Sequence, residues 1–344
     1  MNIGITYDLR RDYLEKGFSE EATAEFDSEE TIGAIHDAIR GLGHSAVLIG
    51  SIYELTGRLA AGERWDLVFN IAEGLFGRSR EAQVPALLEA YGIPCTFSDP
   101  LTLAVCLDKA MTKVVVRDAG VPTPDFMVVT SPGEAAGGLT GKNMAFPVFV
   151  KPLSEGTSKG ISNESIVVDR ESLKRMCSLM LVQYGQPVLV EGYLPGREFT
   201  VGITGTGRSA RVLGMLEITL GNKAEPLVYS YLNKEHFEDR VRYDLVPEGT
   251  LLAEASAVAL RAYRALGCRD AGRVDLKDDA GGRLQFVEIN PLAGLNPSRS
   301  DLPILCRKAG IPYGDLIGAI IESAAERAGA GSLKVPGACA PAEG

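Results

Sequence analysis

Arg273-Val-Asp-Leu-Lys277, a connection of Asp278-Asp-Ala-Gly-Gly282, and Arg283-Leu-Gln-Phe-Val-Glu-Ile-Asn-Pro291 form the stretch that decides how this chain is read. Two alternating runs joined by a Gly-rich turn predict a β-hairpin. Side chains alternate faces along a strand, so Arg273 and Asp275 share one face, and Glu288 and Asn290 share one face of the partner. Val274, Leu276, Val287 and Ile289 are expected on the other face. Two carboxylates and a carboxamide gathered in this way make an oxygen-only site suited to Mg²⁺, a hard cation that keeps waters or substrate phosphates in its remaining positions. Taken alone, the same pattern also describes a hairpin with one solvated face.

Upstream, Phe146-Pro-Val-Phe-Val-Lys151 is an apolar strand ending in lysine, followed by a loop that holds Gly156 and Gly160. The lysine can meet phosphate as a point charge, and the loop's backbone N–H groups can face phosphate oxygens. A surface loop after a buried strand has the same pattern. Gly137-Gly-Leu-Thr-Gly-Lys142-Asn143 is not a P-loop: the first glycine is out of place and Asn143 stands where Ser or Thr should hold Mg²⁺. No G-x-G-x-x-G follows the first strand, so nothing points to a nicotinamide cofactor.

The elements around these segments predict a mixed α+β and α/β chain of three domains. Residues 1–100 read as a doubly wound α/β unit: a strand at 2–7, a helix from Ser28 to Leu42 started by Asp27 and Glu30, and short apolar strands at Ala46–Ile49 and Leu67–Phe69. Residues 101–191 open with helical Leu101–Ala119 and continue as a small α+β layer, and 192–330 carry a helix at Leu251–Leu266, the hairpin and a closing helix near 313–328. The Pro- and Ala-rich residues 331–344 are expected to fray.

Composition narrows the function. With 344 residues, 45% of them hydrophobic and 23% charged, the chain should fold into several cores rather than stay disordered. A net charge of −10 with scattered Lys and Arg argues against nucleic acid as partner. Neither a signal peptide nor an apolar stretch of about 20 residues is evident, so a cytoplasmic protein without membrane attachment is expected. Six dispersed cysteines without a C-x-x-C pair and three dispersed histidines suggest neither a disulfide framework, nor a zinc site, nor a His-based triad.

Five motifs in order are more specific than any one of them: Leu107-Asp-Lys109-Ala-Met-Thr-Lys113; Val148-Phe-Val-Lys151-Pro; Val188-Leu-Val-Glu191 with Pro195-Gly-Arg-Glu198; Arg273-Val-Asp275; and Glu288-Ile-Asn290. With these the chain resembles the D-alanine:D-alanine ligase family of ATP-grasp enzymes from about residue 64 to 322. The resemblance implies an ATP-grasp fold, with ATP gripped between the second and third domains and amino-acid substrates between the first and third. It implies Lys109 and Lys151 near the phosphates, Glu155 among the ATP-binding residues, Glu191 and the backbone of Tyr193 and Leu194 at the adenine, and Glu198 at the ribose. Asp275, Glu288 and Asn290 would hold Mg²⁺, two ions replaceable by Mn²⁺, while Arg273 and the Gly294 N–H would stabilise the oxyanion of a tetrahedral intermediate. Tyr229-Ser-Tyr-Leu-Asn-Lys234 resembles the family's mobile loop, with Lys234 reaching the γ-phosphate.

The departures fall on the amino-acid side. The family's N-terminal glycines and Ser-x-Glu pattern are replaced by charged Leu9–Asp27, with Glu25, Glu29 or Glu30 as substitutes for the residue that holds the first ammonium. Glu73 stands in place of a histidine, Arg78, Arg80 and Glu81 form the segment after it, and Thr157 and Glu235 replace the serine and tyrosine that lock the loop. The segment from Gly294 to Asp301 is one residue longer, leaving Ser298 and Ser300 as rival contacts for the second substrate, beside Arg299; Ser158 completes the candidate set. The expected activity is ATP-dependent, ADP-forming carboxylate–amine ligation through an acyl phosphate, with a substrate larger or more polar than D-alanine and a homodimer as the family's assembly. A non-ligating ATP-binding regulatory protein and a kinase that stops at phosphoryl transfer are the alternatives.

Overall fold

The computed structural model describes residues 1–137, 139, 144–221 and 240–330. Its chain builds three sheets in succession. The first is parallel, with β1 (Asn2–Thr6) between β2 (Ser45–Gly50) and β3 (Leu67–Asn70). Successive β1 side chains face opposite ways, so helices cover both faces. After α1 (Arg10–Glu15), α2 (Glu29–Gly41) brings Ile32, Ile35 and Ile39 onto Ile3 and Ile5. On the opposite face, α3 (Ile52–Ala60) and α4 (Gln83–Ala90) bury Leu55, Leu59, Val84 and Leu88 around Trp65 and Val68. This is the doubly wound arrangement expected, each buried Leu or Ile contributing about 1.5–3 kcal/mol.

One expected cap differs. Ser28, not Asp27, starts α2, its hydroxyl accepting from the Thr31 N–H. Asp27 is drawn instead into a bridge between Leu9 and its own backbone, giving its carbonyl to the Arg10 N–H. The long helix expected over 101–119 is also two helices, α5 (Pro100–Leu107) and α6 (Lys109–Asp118). Asp108 turns extended between them, and its side chain accepts from the Ala110 and Met111 N–H groups to start the second.

The second sheet is antiparallel in the order β4 (Phe126–Val129), β7 (Val188–Gly192), β5 (Val148–Pro152), β6 (Ile166–Val167). Short α7 (Pro132–Ala136) and α8 (Arg170–Tyr184) cover it, the latter with Leu173, Met176, Cys177 and Met180. The third sheet is antiparallel, ordered β10 (Val241–Leu245), β9 (Arg211–Leu220), β8 (Glu198–Thr204), β11 (Ala271–Asp278), β12 (Leu284–Asn290). One face packs on α9 (Thr250–Ala265), whose Ala255, Ala259 and Ala262 allow close approach. Its other face carries Thr200, Arg273 and Asp275, bonded together, and also Leu216 and Tyr243, which join the first core. Then α10 (Asp301–Lys308) and α11 (Tyr313–Ala330) return to the first core, where Ile317, Ile320 and Ile321 join Ile35 and Ile39.

Asp270 locks the first and third sheets together. Fully buried at a positive φ of 65°, it accepts from the Phe97 N–H at 2.8 Å, from Ser323 Oγ at 2.8 Å and from Arg327 Nε at 2.9 Å. The hairpin departs from strict alternation at one point. Asp275 pairs with Glu288 but Leu276 pairs with Phe286, so Val287 is bulged out. Phe286 takes the core position and Val287 turns toward the cleft, reversing the expectation for Val287. The residues at 331–344 and the near-P-loop positions 138 and 140–143 lie outside the described residues.

Candidate active site

A narrow cleft of about 100 Å³ runs between the second and third sheets, lined by Phe149, Lys151, Tyr193, Leu194, Val287 and Ile218 among others. At its back, Glu191 receives Lys113 Nζ and Lys151 Nζ, each at 2.8 Å, one on each carboxylate oxygen. Burial raises the Glu191 carboxyl, but Lys113 and then Lys151 outweigh it and hold the carboxyl below its ordinary range. Burial pushes Lys113 down to about 8 in spite of Glu191, whereas for Lys151 the attraction of Glu191 and Glu288 exceeds burial and the pKa rises. Glu198, on the rim, accepts from Lys277 Nζ at 2.8 Å.

The floor is the β11–β12 hairpin. Arg273 pairs with Asn290 across the strands and Asp275 with Glu288, so all four side chains stand together. The Arg273 guanidinium donates through Nε to Asp275 Oδ1 and through Nη2 to Oδ2, both at 3.0 Å, and through Nη1 to Asp301 Oδ2 at 2.6 Å. Thr200 Oγ donates to Asp275 Oδ1 at 2.7 Å, and Asn290 Nδ2 donates to Oδ2 at 3.3 Å, which leaves the Asn290 carbonyl oxygen outward. Burial and then the nearby Glu288, against the pull of Arg273, leave the Asp275 carboxyl raised. Asp275, Glu288 and Asn290 offer only oxygen ligands side by side, a donor set that could hold a divalent cation, although Arg273 already occupies Asp275.

Beyond the hairpin a larger cavity, about 250 Å³, opens toward the first sheet, lined by Arg10, Asp27, Glu73, Glu81, Thr157, Arg299 and others. Arg273, Glu288 and Asp301 line both spaces. A buried ionic cluster closes one wall. Arg80 Nη2 lies 3.1 Å from Glu25 Oε2, and Lys159 Nζ lies 3.4 Å from Glu25 and 3.2 Å from Glu155. Burial opposes ionisation of Glu25, yet Arg80 and Lys159 bring its carboxyl down to about 2. Glu25 also accepts the Gly156 N–H at 2.7 Å, tying the N-terminal segment to the loop after β5; a Cβ at Gly156 would overlap the Glu25 carboxylate.

The expected site residues divide as follows. Lys151, Glu191, Tyr193, Leu194, Glu198, Asp275 and Ser158 line the cleft, so Ser158 lies there rather than in the amino-acid cavity expected for it. Lys109, Glu73, Thr157, Gly294, Asn290, Arg299 and Ser300 line the larger cavity, Lys109 Nζ 3.7 Å from Glu288 and bonded to the Glu155 carbonyl. Glu155, expected among the ATP-binding residues, also lines this cavity and accepts from Gln186 at 2.6 Å, outside the cleft. Arg80 is a wall-forming partner of Glu25, and Arg78 is an exposed side chain paired with Asp108 at 2.6 Å. Ser298 turns to Glu30 and Asn296, while Ser300 Oγ accepts from the Asn296 N–H at 3.0 Å beside Gly294, where a Cβ would stand 2.8 Å from that hydroxyl. Lys234 and Glu235 lie outside the described residues. Arg10, Asp27, Lys159 and the cavity role of Glu81 were not singled out, because none sits in a motif; only folding brings them to the wall.

No helix among the described residues is long and apolar enough to cross a membrane. The family model described as D-ala D-ala ligase C-terminus matches residues 115–322. A D-alanine–D-alanine ligase of Bordetella avium is 34% identical over 297 residues, 84% of this chain and 87% of that protein. The protein y4sG of Sinorhizobium fredii is 34% identical over 269 residues, 76% of this chain and 75% of its own. Among solved structures, the D-alanine–D-alanine ligase of Bacillus anthracis complexed with ATP has a TM-score of 0.70 at 23% identity, covering 96% of this chain and 99% of that one. The VanG D-Ala:D-Ser ligase of Enterococcus faecalis has a TM-score of 0.72 at 20% identity, covering 94% and 100%.

Proposed function

This chain belongs to the D-alanine–D-alanine ligase family, and from that premise we propose that it activates an amino-acid carboxylate with ATP as an acyl phosphate and joins it to the amine of a second substrate, releasing ADP. It is a D-alanine–D-alanine ligase-like, ATP-dependent ligase of ATP-grasp fold. The observation that carries the proposed reaction is the sharing of Arg273 and Glu288 between the cleft and the larger cavity. A nucleotide in one space and a carboxylate in the other would meet at the hairpin.

Each residue then has a chemical task. The apolar walls at Phe149, Ile218 and Val287 receive the adenine, with Glu191 and the backbone at Tyr193 and Leu194 along its edge, and Glu198 takes the ribose hydroxyls. Lys109 and Lys151 offset phosphate charge, and Lys234 is proposed to join them when its loop closes. Asp275, Glu288 and Asn290 would hold Mg²⁺, which when bound neutralises charge on the transferring phosphoryl group. Arg273, fixed by two carboxylates, and the Gly294 N–H would stabilise the oxyanion formed as the amine attacks.

The amino-acid side has changed from the family pattern at Glu73, Arg80 and Arg299, and we read this as altered specificity. A structural neighbour named a D-Ala:D-Ser ligase supports the idea that this fold accommodates such a change. We further propose domain boundaries near residues 100 and 191, a cytoplasmic setting and small amino-acid substrates. Incubation with Mg·ATP and pooled D- and L-amino acids, followed by assay of ADP and mass spectrometry of new amides, tests the reading. Amino-acid-dependent ADP with a new amide is expected; ADP release without any amide, or none at all, overturns it.

A further inference from the structure

The larger cavity carries more negative charge than the proposed ligation uses. Acids outnumber bases on its lining, Glu25, Asp27, Glu73, Glu81, Glu155, Glu288 and Asp301 against Arg10, Lys109, Arg273 and Arg299, and most of the acids have partners, Asp27 being bonded by Thr31. Glu25 and Glu155 are met by Arg80 and Lys159, Glu288 stands near Lys109, and Asp301 is paired with Arg273. Glu73 and Glu81 differ: among the described residues neither carboxyl makes a hydrogen bond or an ion pair, although both line the cavity. Two further observations point to a missing ligand. Thr157 Oγ and Arg10 Nε, on the same lining, are each buried with no hydrogen-bond partner among the described residues. Buried polar atoms left unpaired cost about 1–3 kcal/mol each, so a wall that keeps them is built for a polar occupant.

An α-amino acid with a neutral side chain brings one ammonium and one carboxylate. The carboxylate belongs at the hairpin, where it would be activated, and one ammonium needs one carboxylate partner. That leaves the other acid of the Glu73 and Glu81 pair buried and unmatched. We propose that this cavity takes, as the activated substrate, an amino acid whose side chain bears a second cationic group, an ammonium or a guanidinium, received between Glu73 and Glu81 with Thr157 Oγ accepting from it. The proposal rests on the ligase reading of the same site. Electrostatics agree with the geometry: burial first, and then Glu81, Glu25 and Asp27, push the Glu73 carboxyl well up, as in an acidic site waiting for its cation.

Titration calorimetry with Mg²⁺ and a non-hydrolysable ATP analogue tests this without requiring turnover. Lysine, ornithine and arginine, in both enantiomers, are compared with norleucine and citrulline, which match lysine and arginine in shape but lack the side-chain charge. At least one basic amino acid is expected to bind about tenfold or more tighter than its neutral counterpart, since a hydrogen bond to a charged group is worth about 1.5–3 kcal/mol. Of Glu73→Gln and Glu81→Gln, one should reduce that preference about tenfold with norleucine binding constant, and the other, which removes the partner of the α-ammonium, should weaken basic and neutral amino acids alike; unchanged preference in both variants overturns the inference. Analogue binding reports that each variant is folded, because neither residue lines the cleft. Equal or tighter binding of the neutral amino acids, or no amino-acid binding at all, overturns the inference. Absence of amide product from any pair, with basic amino acids still preferred in binding, overturns the ligase reading alone.

Discussion

Arg273 donates to Asp301 at 2.6 Å while its other two nitrogens hold Asp275, so one guanidinium is fixed between two buried carboxylates at the boundary of both cavities. Burial lowers the arginine's pKa, but Asp275 and Asp301 more than compensate and raise it. Asp301 does not belong to the hairpin; it is the first residue of α10 and also accepts from Tyr243 Oη at 3.0 Å. It therefore orients the arginine without being a ligand of the phosphate. Asp301→Asn keeps the shape and removes the charge, which should lower kcat about tenfold, since a charge-assisted bond is worth about 1.5–3 kcal/mol. KM for ATP should stay within about twofold. Steady-state ADP release checks this, and a rise in KM with kcat intact would reject the positioning role.

Glu191 is expected to matter for stability before it matters for binding. Its two lysine partners have side chains only 0% and 3% exposed. Glu191→Gln would remove the one carboxylate that both cations contact directly, leaving only the more distant Glu288, and breaking such a buried pair costs about 3–5 kcal/mol. The melting temperature should fall markedly, and Lys113→Met in the same chain should recover part of it. Thermal unfolding monitored by circular dichroism measures both variants.

At the hairpin, Glu288→Gln keeps the size of the side chain and halves the acidic content of the face it shares with Asp275. The pair of carboxylates is what suits that face to a divalent cation, so the variant should lose most Mg²⁺-dependent turnover, about 100-fold or more. The remaining activity should need higher Mg²⁺. Chelation by EDTA should abolish turnover in the unaltered protein, with restoration by Mg²⁺ or Mn²⁺. A Glu288→Gln protein of near-normal rate would remove Glu288 from the metal set.

Much of this arrangement was legible in the chain because local chemistry dictates it. Alternation placed Arg273 and Asp275 on one face, and the Gly-rich turn fixed the hairpin. The Val287 bulge was not legible, since a one-residue shift leaves the hydrophobic pattern of either strand unchanged and only the register with β11 reveals it. Asp108 as a helix start inside an apolar run was hidden for the opposite reason: the helical pattern continues across it. The amino-acid cavity was the least legible part. Glu25, Arg80 and Lys159 come from three distant segments, and their ion pairs exist only after the first two sheets pack. Ser158 and Glu155 are close in sequence yet face different spaces, because Thr157 and Ser158 both adopt positive φ, 48° and 57°.

Gly156 gives a test of that packed wall. Its N–H reaches Glu25, and an added Cβ would overlap the same carboxylate. Gly156→Ala must therefore displace Glu25 from Arg80 and Lys159. The expected result is an amino-acid KM raised about tenfold, of the size of one lost charge-assisted bond, with ATP binding little altered because Gly156 does not line the cleft. Separate titrations of nucleotide and amino acid distinguish this from general unfolding, in which both would weaken together.

The acidic wall also sets a pH dependence whose sign can be worked out. Burial raises Glu81, Arg80 and Lys109 pull it down, Glu25 pushes it up, and the carboxyl ends at about 7 against an ordinary 4.5. With the folded-state pKa above the unfolded value, the folded protein binds more protons between those values. Stability is then fullest below about pH 4.5, where Glu81 is protonated in both states, and declines as pH rises toward 7 and the buried carboxyl must ionise. Glu81→Gln cannot ionise and should escape that decline. Its melting temperature should gain on the parent's by several degrees between pH 5 and pH 8. Calorimetric scans at the two pH values decide it; a Gln variant less stable than the parent at pH 8 would mean that Glu81 is ionised and favourably paired in the folded protein.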